Sequence, residues 1–415
     1  MIAVITFIVL LYGYSLLSRR IDGTALTIPL VFAVAGIVLA LVAPGLVRRD
    51  MESEAWLILA ELTYAIVLFN GATRVNFRVL RGEMRLPGRL LAIGLPLTIL
   101  LGTVAAVLVL PELSLWEAGA LACILASTDT TLAGHIAHSP RVPTCIREAL
   151  NAESGLSDGL VVPALMLFVS LIKADAGGPG PGGVFVRLAV QQIVLGIPVG
   201  AAIGFGGGWL LGLARRRGWA STSFQQIAMI ALAPLCLILA TAIDTSPFIA
   251  AFSAGVALQF GFRGASEGLV EFSENEGRLL NMFIFFFFGM SAGAELGELH
   301  LAPVLYAILS LTVIRMLPVA VSMVGTQLNP ASVLFMGWFG PRGLASIVLG
   351  LVVAQQELQT GGESVTTLAL VATVLLSIFA HGLSASPGIR LYARQIAGLG
   401  PDAPEYESPA VVPTA

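Results

Sequence analysis

Long apolar stretches run through this chain and leave few folds open to it. A helix needs about 20 mainly apolar residues to cross the hydrocarbon core of a bilayer. Thirteen stretches of that kind recur, over residues 2–18, 25–46, 54–71, 87–110, 115–137, 148–172, 185–213, 222–243, 247–262, 279–296, 301–325, 331–354 and 364–384. Between them lie turn signals such as Arg19-Arg20, Arg48-Arg49-Asp50, a Gly-Pro-Gly-Pro-Gly-Gly run at 178–183, and Arg215 to Arg217. Inside a bilayer every backbone N–H and C=O must find a partner within the protein, so only helices and closed barrels can span it. Stretches of this length select helices. The expected fold is an all-α polytopic membrane protein of about 13 transmembrane helices over residues 1–384, followed by a short polar cytoplasmic tail at 385–415. The first stretch has no basic residues ahead of it, and reads as a retained helix instead of a cleaved leader.

The charge inventory agrees. The chain of 415 residues has 22 basic and 25 acidic side chains, 11% in all, where a soluble domain carries about 25%. Mean hydropathy is +0.91. A soluble enzyme, a disordered chain and a nucleic-acid binder are disfavoured, and a net charge of −3 argues for no polyanionic partner. Cys123, Cys145 and Cys236 are too few and too scattered for a disulfide framework or a metal site. His-Glu-x-x-His and Cys-x-x-Cys are missing, and the chain reads as no enzyme, with no cofactor.

The basic residues set an orientation. Arg19, Arg20, Arg74, Arg78, Arg81, Arg85, Arg89, Arg141, Arg147, Arg215, Arg216, Arg217, Arg263, Arg278, Arg390 and Arg394 fall on one side of a thirteen-span topology. Arg48, Arg49, Lys173 and Arg187 fall on the other. This places the N-terminus outside the cell membrane and the C-terminus in the cytoplasm.

Two arginines remain, Arg315 and Arg342, both inside apolar stretches with four carboxylates, Glu61, Asp129, Glu153 and Asp158. An ionised group at the bilayer centre costs about 2.5–3.5 kcal/mol on insertion scales. Such groups persist when paired, when lining water, or when carrying an ion. Four carboxylates against two guanidiniums leave the negative surplus that a cation site needs.

The richest segment runs from Asn151 to Gly159. On a helix Asn151, Ser154 and Asp158 share one face, and Glu153 and Ser157 form a neighbouring i, i+4 pair. A carboxylate with hydroxyl oxygens suits an alkali cation or a proton better than a soft metal. Serines alone serve equally well as helix-to-helix contacts, but a carboxylate is an expensive contact. A second segment, Ser127-Thr128-Asp129-Thr130-Thr131, competes with the helical backbone for hydrogen bonds in mid-span. A third, Phe339-Gly340-Pro341-Arg342-Gly343, removes a donor and loosens the turn. These interrupt spans 5 and 12, the middle members of the triplets 4-5-6 and 11-12-13. That placement is expected of inverted repeats whose broken helices cross at the midplane. Arg315 reads as structural, pairing a carboxylate or capping carbonyls. Arg342 is the natural partner for Glu153 or Asp129, and Glu61 has no evident one. His135, His138, His300 and His381 lie near span ends, as ordinary interfacial residues do.

Thr128-Asp129, Glu153-Ser154 followed by Asp158, Arg315 and Gly340-Pro341-Arg342-Gly343 together resemble the sodium/proton exchanger (NHE/NhaP-like) branch of the monovalent cation:proton antiporters. Supporting stretches are Leu68-Phe69 through Arg74, Arg89 to Leu97, and Phe248 to Phe252, so the likeness covers roughly residues 10–385. The resemblance implies a homodimer with a moving core domain, about 87–172 and 301–384, and dimerisation helices elsewhere. It implies an elevator-type cycle and a part in pH homeostasis. By resemblance Asp158 binds the cation and the proton, with Ser154, Glu153 and the Thr128 carbonyl around the sodium ion. Asp129 steadies the crossed helices, Arg342 pairs with Glu153, and Arg315 is a core arginine. The family usually has Asn where this chain has Ser157, a shorter side chain that leaves its reach across the break open.

These residues point to exchange of a monovalent cation, sodium by preference and otherwise potassium or lithium, for H+ at Asp158. Burial penalises the charged carboxylate while a nearby arginine favours it. One carboxylate taking one cation or one proton gives electroneutral exchange. A cation channel would use the same acidic residues without coupling. A sodium-coupled solute symporter would need a larger polar lining than this chain offers.

Overall fold

The computed structural model describes residues 2–21, 26–45, 54–74, 85–129, 136, 139–175, 189–262, 267–356, 361–400 and 402–406, which form helices and turns and no strand. The helices are α1 (Ile2–Ile21), α2 (Ile28–Val42), α3 (Glu54–Arg74), α4 (Leu86–Val109), α5 (Leu115–Ile124), α6 (Thr144–Asp175), α7 (Gly196–Arg216), α8 (Thr222–Ala242), α9 (Pro247–Gly261), α10 (Glu267–Glu295), α11 (Leu301–Leu311), α12 (Val313–Ser322), α13 (Pro330–Trp338), α14 (Leu344–Ala354) and α15 (Glu363–Ile396). Eight described helical stretches are long and apolar enough to cross a membrane, and five shorter apolar helices accompany them. Each falls on one of the thirteen stretches read from the sequence. Large apolar side chains such as Ile5, Val9 and Leu16 on α1 or Leu108 on α4 are exposed. Lipid, not water, is the solvent that tolerates them. The protein is a multi-pass membrane protein.

Span 12 is broken as expected, into α13 and α14 around residues 339–343. Span 5 leaves the helix after Ile124. Its second half, with Thr130, Thr131, His135 and His138, lies outside the described residues, as does the Gly-Pro run at 178–183. Span 11 is also interrupted, which the apolar pattern did not announce. At Thr312 the N–H is shared between the Ile308 and Leu309 carbonyls, and the hydroxyl bonds Ile308 O at 2.6 Å. The backbone there leaves the helical region, with φ −110° and ψ −94° at Thr312. In α4 a π-helical segment, Leu90–Gly94, sits where Pro96 removes the N–H that would bond the Ala92 carbonyl.

The described chain divides into two compact units. The first comprises residues 1–54, 77–157 and 282–415. Here α2 and α10 approach through glycines: a Cβ at Gly36 would strike the Phe286 carbonyl, and one at Gly289 the Ala33 carbonyl. Arg89, counted above among the orienting charges, donates to the Ser322 carbonyl at 2.6 Å and to that of Val324. It thereby caps the carbonyl end of α12.

The second unit comprises residues 55–76 and 158–281. Gly196, Gly200, Gly204 and Gly208 recur every four residues on α7, and a Cβ at Gly200 or Gly204 would overlap the carbonyls of Ala250 or Ala254 on α9. Small residues let membrane helices pack backbone to backbone, where van der Waals contact replaces the missing hydrophobic force. Gly200→Val or Gly204→Val is expected to force α7 from α9 and to destabilise the protein by at least about 1–3 kcal/mol. Gly206→Val, at a position with open space around it, is expected to change little. Thermal unfolding of the purified protein in detergent checks both.

Candidate functional site

The site grows from two places where the helical ladder stops in the first unit. α5 starts with a capping box: the Glu117 backbone N–H donates to the Ser114 hydroxyl at 3.3 Å, and Ser114 N–H to the Glu117 carboxylate at 2.8 Å. It ends at Ile124, whose carbonyl accepts from the Ser346 hydroxyl at 2.8 Å. Residues 126–129 then run as buried non-helical backbone. In span 12, Pro341 cannot donate and Gly340 lies flat against the Arg315 guanidinium, with no room for a Cβ. Helix ends inside a membrane leave carbonyls and N–H groups that must be satisfied locally.

Each break supplies the caps of the other. Arg342, fully buried, donates from Nη1 to the carbonyls of Ala126 at 2.6 Å and Ser127 at 3.0 Å, beyond the carbonyl end of α5. Asp129 in turn accepts the Leu344 N–H at 2.7 Å, at the positive N-terminus of α14. The Asp129 N–H donates to the Pro341 carbonyl at 2.8 Å, so the two breaks also share a backbone bond. Cation at a carbonyl end and carboxylate at an amide end are the arrangements that helix dipoles favour. The Arg342 N–H donates to the Ser377 hydroxyl at 2.7 Å. His381, buried on α15, sits 3.1 Å from that hydroxyl through Nδ1 and 2.9 Å from the Trp338 carbonyl through Nε2. Nδ1 also lies 3.0 Å from the Ser377 carbonyl, so each ring nitrogen faces a carbonyl oxygen. His381 is thus a core residue closing the end of α13, not an interfacial one; His300 is exposed as expected.

The Glu153 pairing differs from expectation. Arg315, not Arg342, holds both Glu153 carboxylate oxygens, one through Nη1 and the other through Nη2 at 2.8 Å. Its Nη2 also reaches the Met336 carbonyl at 3.5 Å. The kink at Thr312 and the absence of a side chain at Gly340 make way for Arg315, while Arg342 is spent on the α5 carbonyls. Arg315 thus pairs with a buried carboxylate. Ser154, on the same turn as Glu153, donates to the Thr128 carbonyl at 2.6 Å. A carbonyl keeps a second lone pair, and the buried Thr128 Oγ1 has no hydrogen-bond partner among the described residues. Ser157 does reach the break: its hydroxyl accepts from the Thr128 N–H at 3.5 Å and donates to the Ser154 carbonyl at 3.1 Å.

α6 continues without interruption from Ser154 to Asp158, one turn on, where the side chain is partly exposed. Asn151, placed on the same face by spacing, is exposed. In the second unit, Tyr64 is fully buried within electrostatic reach of Asp158, and its hydroxyl has no hydrogen-bond partner among the described residues. Glu61 stands nearly one turn earlier on α3 and is partly buried. Sequence reading passed over Tyr64, an apolar-looking residue in an apolar span. It passed over Glu117 too, although Ser114-x-x-Glu117 is a legible capping signal.

Breaking a buried ion pair from one side leaves an uncompensated charge and costs about 3–5 kcal/mol. Arg315→Met is expected to lower the melting temperature sharply, and Arg315→Met with Glu153→Gln to recover most of the loss. Equal melting of single and double variants would contradict the pairing.

With this geometry in view, the comparisons are direct. The model of the sodium/hydrogen exchanger, transmembrane family matches residues 4–390. A protein of Schizosaccharomyces pombe named a probable Na(+)/H(+) antiporter is 28% identical over 266 residues, which cover 60% of this chain and 34% of that protein. The K(+)/H(+) antiporter NhaP of Alkalimonas amylolytica is 24% identical over 340 residues, 81% of this chain and 57% of that one. The chain thus spans about a third and somewhat over half of the lengths of these two relatives. The structure of the sodium proton antiporter MjNhaP1 from Methanocaldococcus jannaschii at pH 8 matches with a TM-score of 0.73 and 18% identity, covering 96% of this chain and 99% of that one. At that identity the likeness speaks for the fold. Since the family model takes in nearly the whole chain, the protein belongs to the transmembrane sodium/hydrogen exchanger family.

Proposed function

We propose that this chain is a secondary active antiporter, not an enzyme, exchanging Na+ for H+ at Asp158 across the cell membrane. The observation that carries the reading is the Ser154–Thr128 hydrogen bond. It brings hard oxygen ligands from the broken span 5 to the helix face that leads, one turn later, to Asp158. On this reading the cation takes Ser154, the Thr128 carbonyl and Thr128 Oγ1 as ligands together with the Asp158 carboxylate. Glu153, with both oxygens on Arg315, acts by positioning Ser154, and Asp129, Ser157, Arg315 and Arg342 hold the broken backbone in place.

The chemistry follows from charge. Occupied by one cation or one proton, Asp158 is neutral. Empty, it is an anion that costs about 2.5–3.5 kcal/mol to carry through the bilayer, enough to slow its crossing roughly 100-fold. Crossing therefore happens loaded, which couples the two ions and prevents leak. One site, one cation and one proton give electroneutral exchange. The family and its crossed-helix resemblance support a homodimer, an elevator-type cycle with a moving core, and an N-terminus outside with the C-terminus in the cytoplasm. Potassium is the second reading, because one relative is named a K(+)/H(+) antiporter.

Proteoliposomes loaded with a pH-sensitive dye test the proposal. Wild type is expected to move protons against Na+ at a rate indifferent to an imposed membrane potential, and Asp158→Asn to fall to background. Retained cation-driven proton flux in Asp158→Asn would remove Asp158 from its role, and potential-dependent flux would rule out the 1:1 stoichiometry. Repeating the assay with Na+, Li+ and K+ ranks the cations.

A further inference from the structure

The short segment after α15 folds back onto the first unit. Pro404–Tyr406 forms one 3-10 turn, and Glu405 within it is 1% exposed. Its carboxylate accepts from the Asn329 N–H at 2.7 Å and from the Ser332 hydroxyl at 2.8 Å. Asn329 is the N-cap of α13, its own side chain accepting from the Ala331 N–H. The Ser332 hydroxyl, its proton given to Glu405, accepts from the Tyr392 hydroxyl of α15 at 2.9 Å. The neighbouring Pro404 carbonyl accepts from the Cys145 thiol of α6 at 3.6 Å, and the Tyr406 hydroxyl donates to Ile396 O at 3.2 Å.

One turn of chain therefore binds the ends of three helices. α6 carries Glu153, Ser154 and Asp158. α13 runs straight into the break at Pro341 and Arg342. α15 carries Ser377, which accepts the Arg342 N–H. Beneath the turn the same three helices are packed together by Ile146 and Leu150 from α6, Phe335 from α13, and Tyr392, whose ring stacks on Phe335 at 4.3 Å. α13 has nine residues, a rod of about 14 Å. A shift at its capped end is passed to the Pro341 carbonyl, which holds the Asp129 N–H.

We propose that Glu405 is a positioning residue for the ion site: by holding the N-terminus of α13 it fixes the pose of the broken backbone and so sets cation affinity. This rests on the reading of Asp158 as the ion carrier. The structure makes Glu405 a buried acceptor for two donors on one short helix, and removing it leaves both donors without their acceptor.

The test is a sodium titration of proton-coupled flux at fixed pH, using the purified full chain in proteoliposomes, with melting temperature measured in parallel. Glu405→Ala is expected to raise the apparent KM for Na+ about threefold or more. Glu405→Gln, which keeps an acceptor oxygen, is expected to stay near wild type, and Ser332→Ala, which loses one donor, to fall between. A purely structural role would lower melting temperature and active fraction together and leave KM alone, and that result overturns the proposal. Should Glu405→Ala fail to fold, an unchanged KM in Ser332→Ala overturns it equally. Asp158→Asn in the same assay separates the two ideas. If it loses flux while the Glu405 and Ser332 variants keep wild-type KM, only the positioning inference fails. If it keeps flux, the reading of the carrier fails.

Discussion

The site region of this protein depends on an exchange of caps between two interrupted helices. Arg342 satisfies carbonyls beyond α5, and Asp129 satisfies an amide at the start of α14. In water such ends would be solvated at no cost. In a bilayer an unsatisfied backbone group costs several kcal/mol, so non-helical backbone survives only where something charged and buried answers it. Each charged group pays for its own burial by doing so, because the dipole it meets has the opposite sign. Glu153 and Arg315 repeat the principle as an ion pair, and Ser377 with His381 completes it for the remaining donor and carbonyl.

The fold class was legible because lipid imposes length and apolarity on every span, and these can be counted. The break in span 12 was legible at Gly340-Pro341, and that in span 5 at the run of short polar residues from Ser127. The interruption at Thr312 was not, since Thr312 looks like any other threonine in an apolar stretch. The identities of the buried charges were readable from their scarcity, but their partners were not. Glu153 and Arg315 are 162 positions apart, and nothing in spacing chooses between two arginines. The choice is made by the Thr312 kink and the bare Gly340, both tertiary facts. Glu405 was hidden for the opposite reason: in a polar, proline-rich tail a glutamate carries no signal until the chain folds back.

The arrangement separates holding from carrying. Asp129, Arg342, Glu153 and Arg315 keep the backbone open and its charges answered. The proposed carrier, Asp158, lies one helical turn past Ser154, which bonds the opened backbone. Under the proposed function, such a division lets the scaffold stay charged while the one carboxylate alternates between ions. It also explains how Ser can stand at position 157: the break is held chiefly by the exchanged caps, and the 3.5 Å contact from Ser157 is an addition to them.

The central claim is that cation and proton occupy the same carboxylate. The direct measurement is the number of protons released when Na+ binds the purified protein, obtained by titration calorimetry in buffers of different ionisation enthalpy. Near the pH at which the site is half protonated, the account predicts release approaching half a proton per cation, rising towards one as the pH is lowered and vanishing in Asp158→Asn. Cation binding that releases no protons at any pH would contradict it.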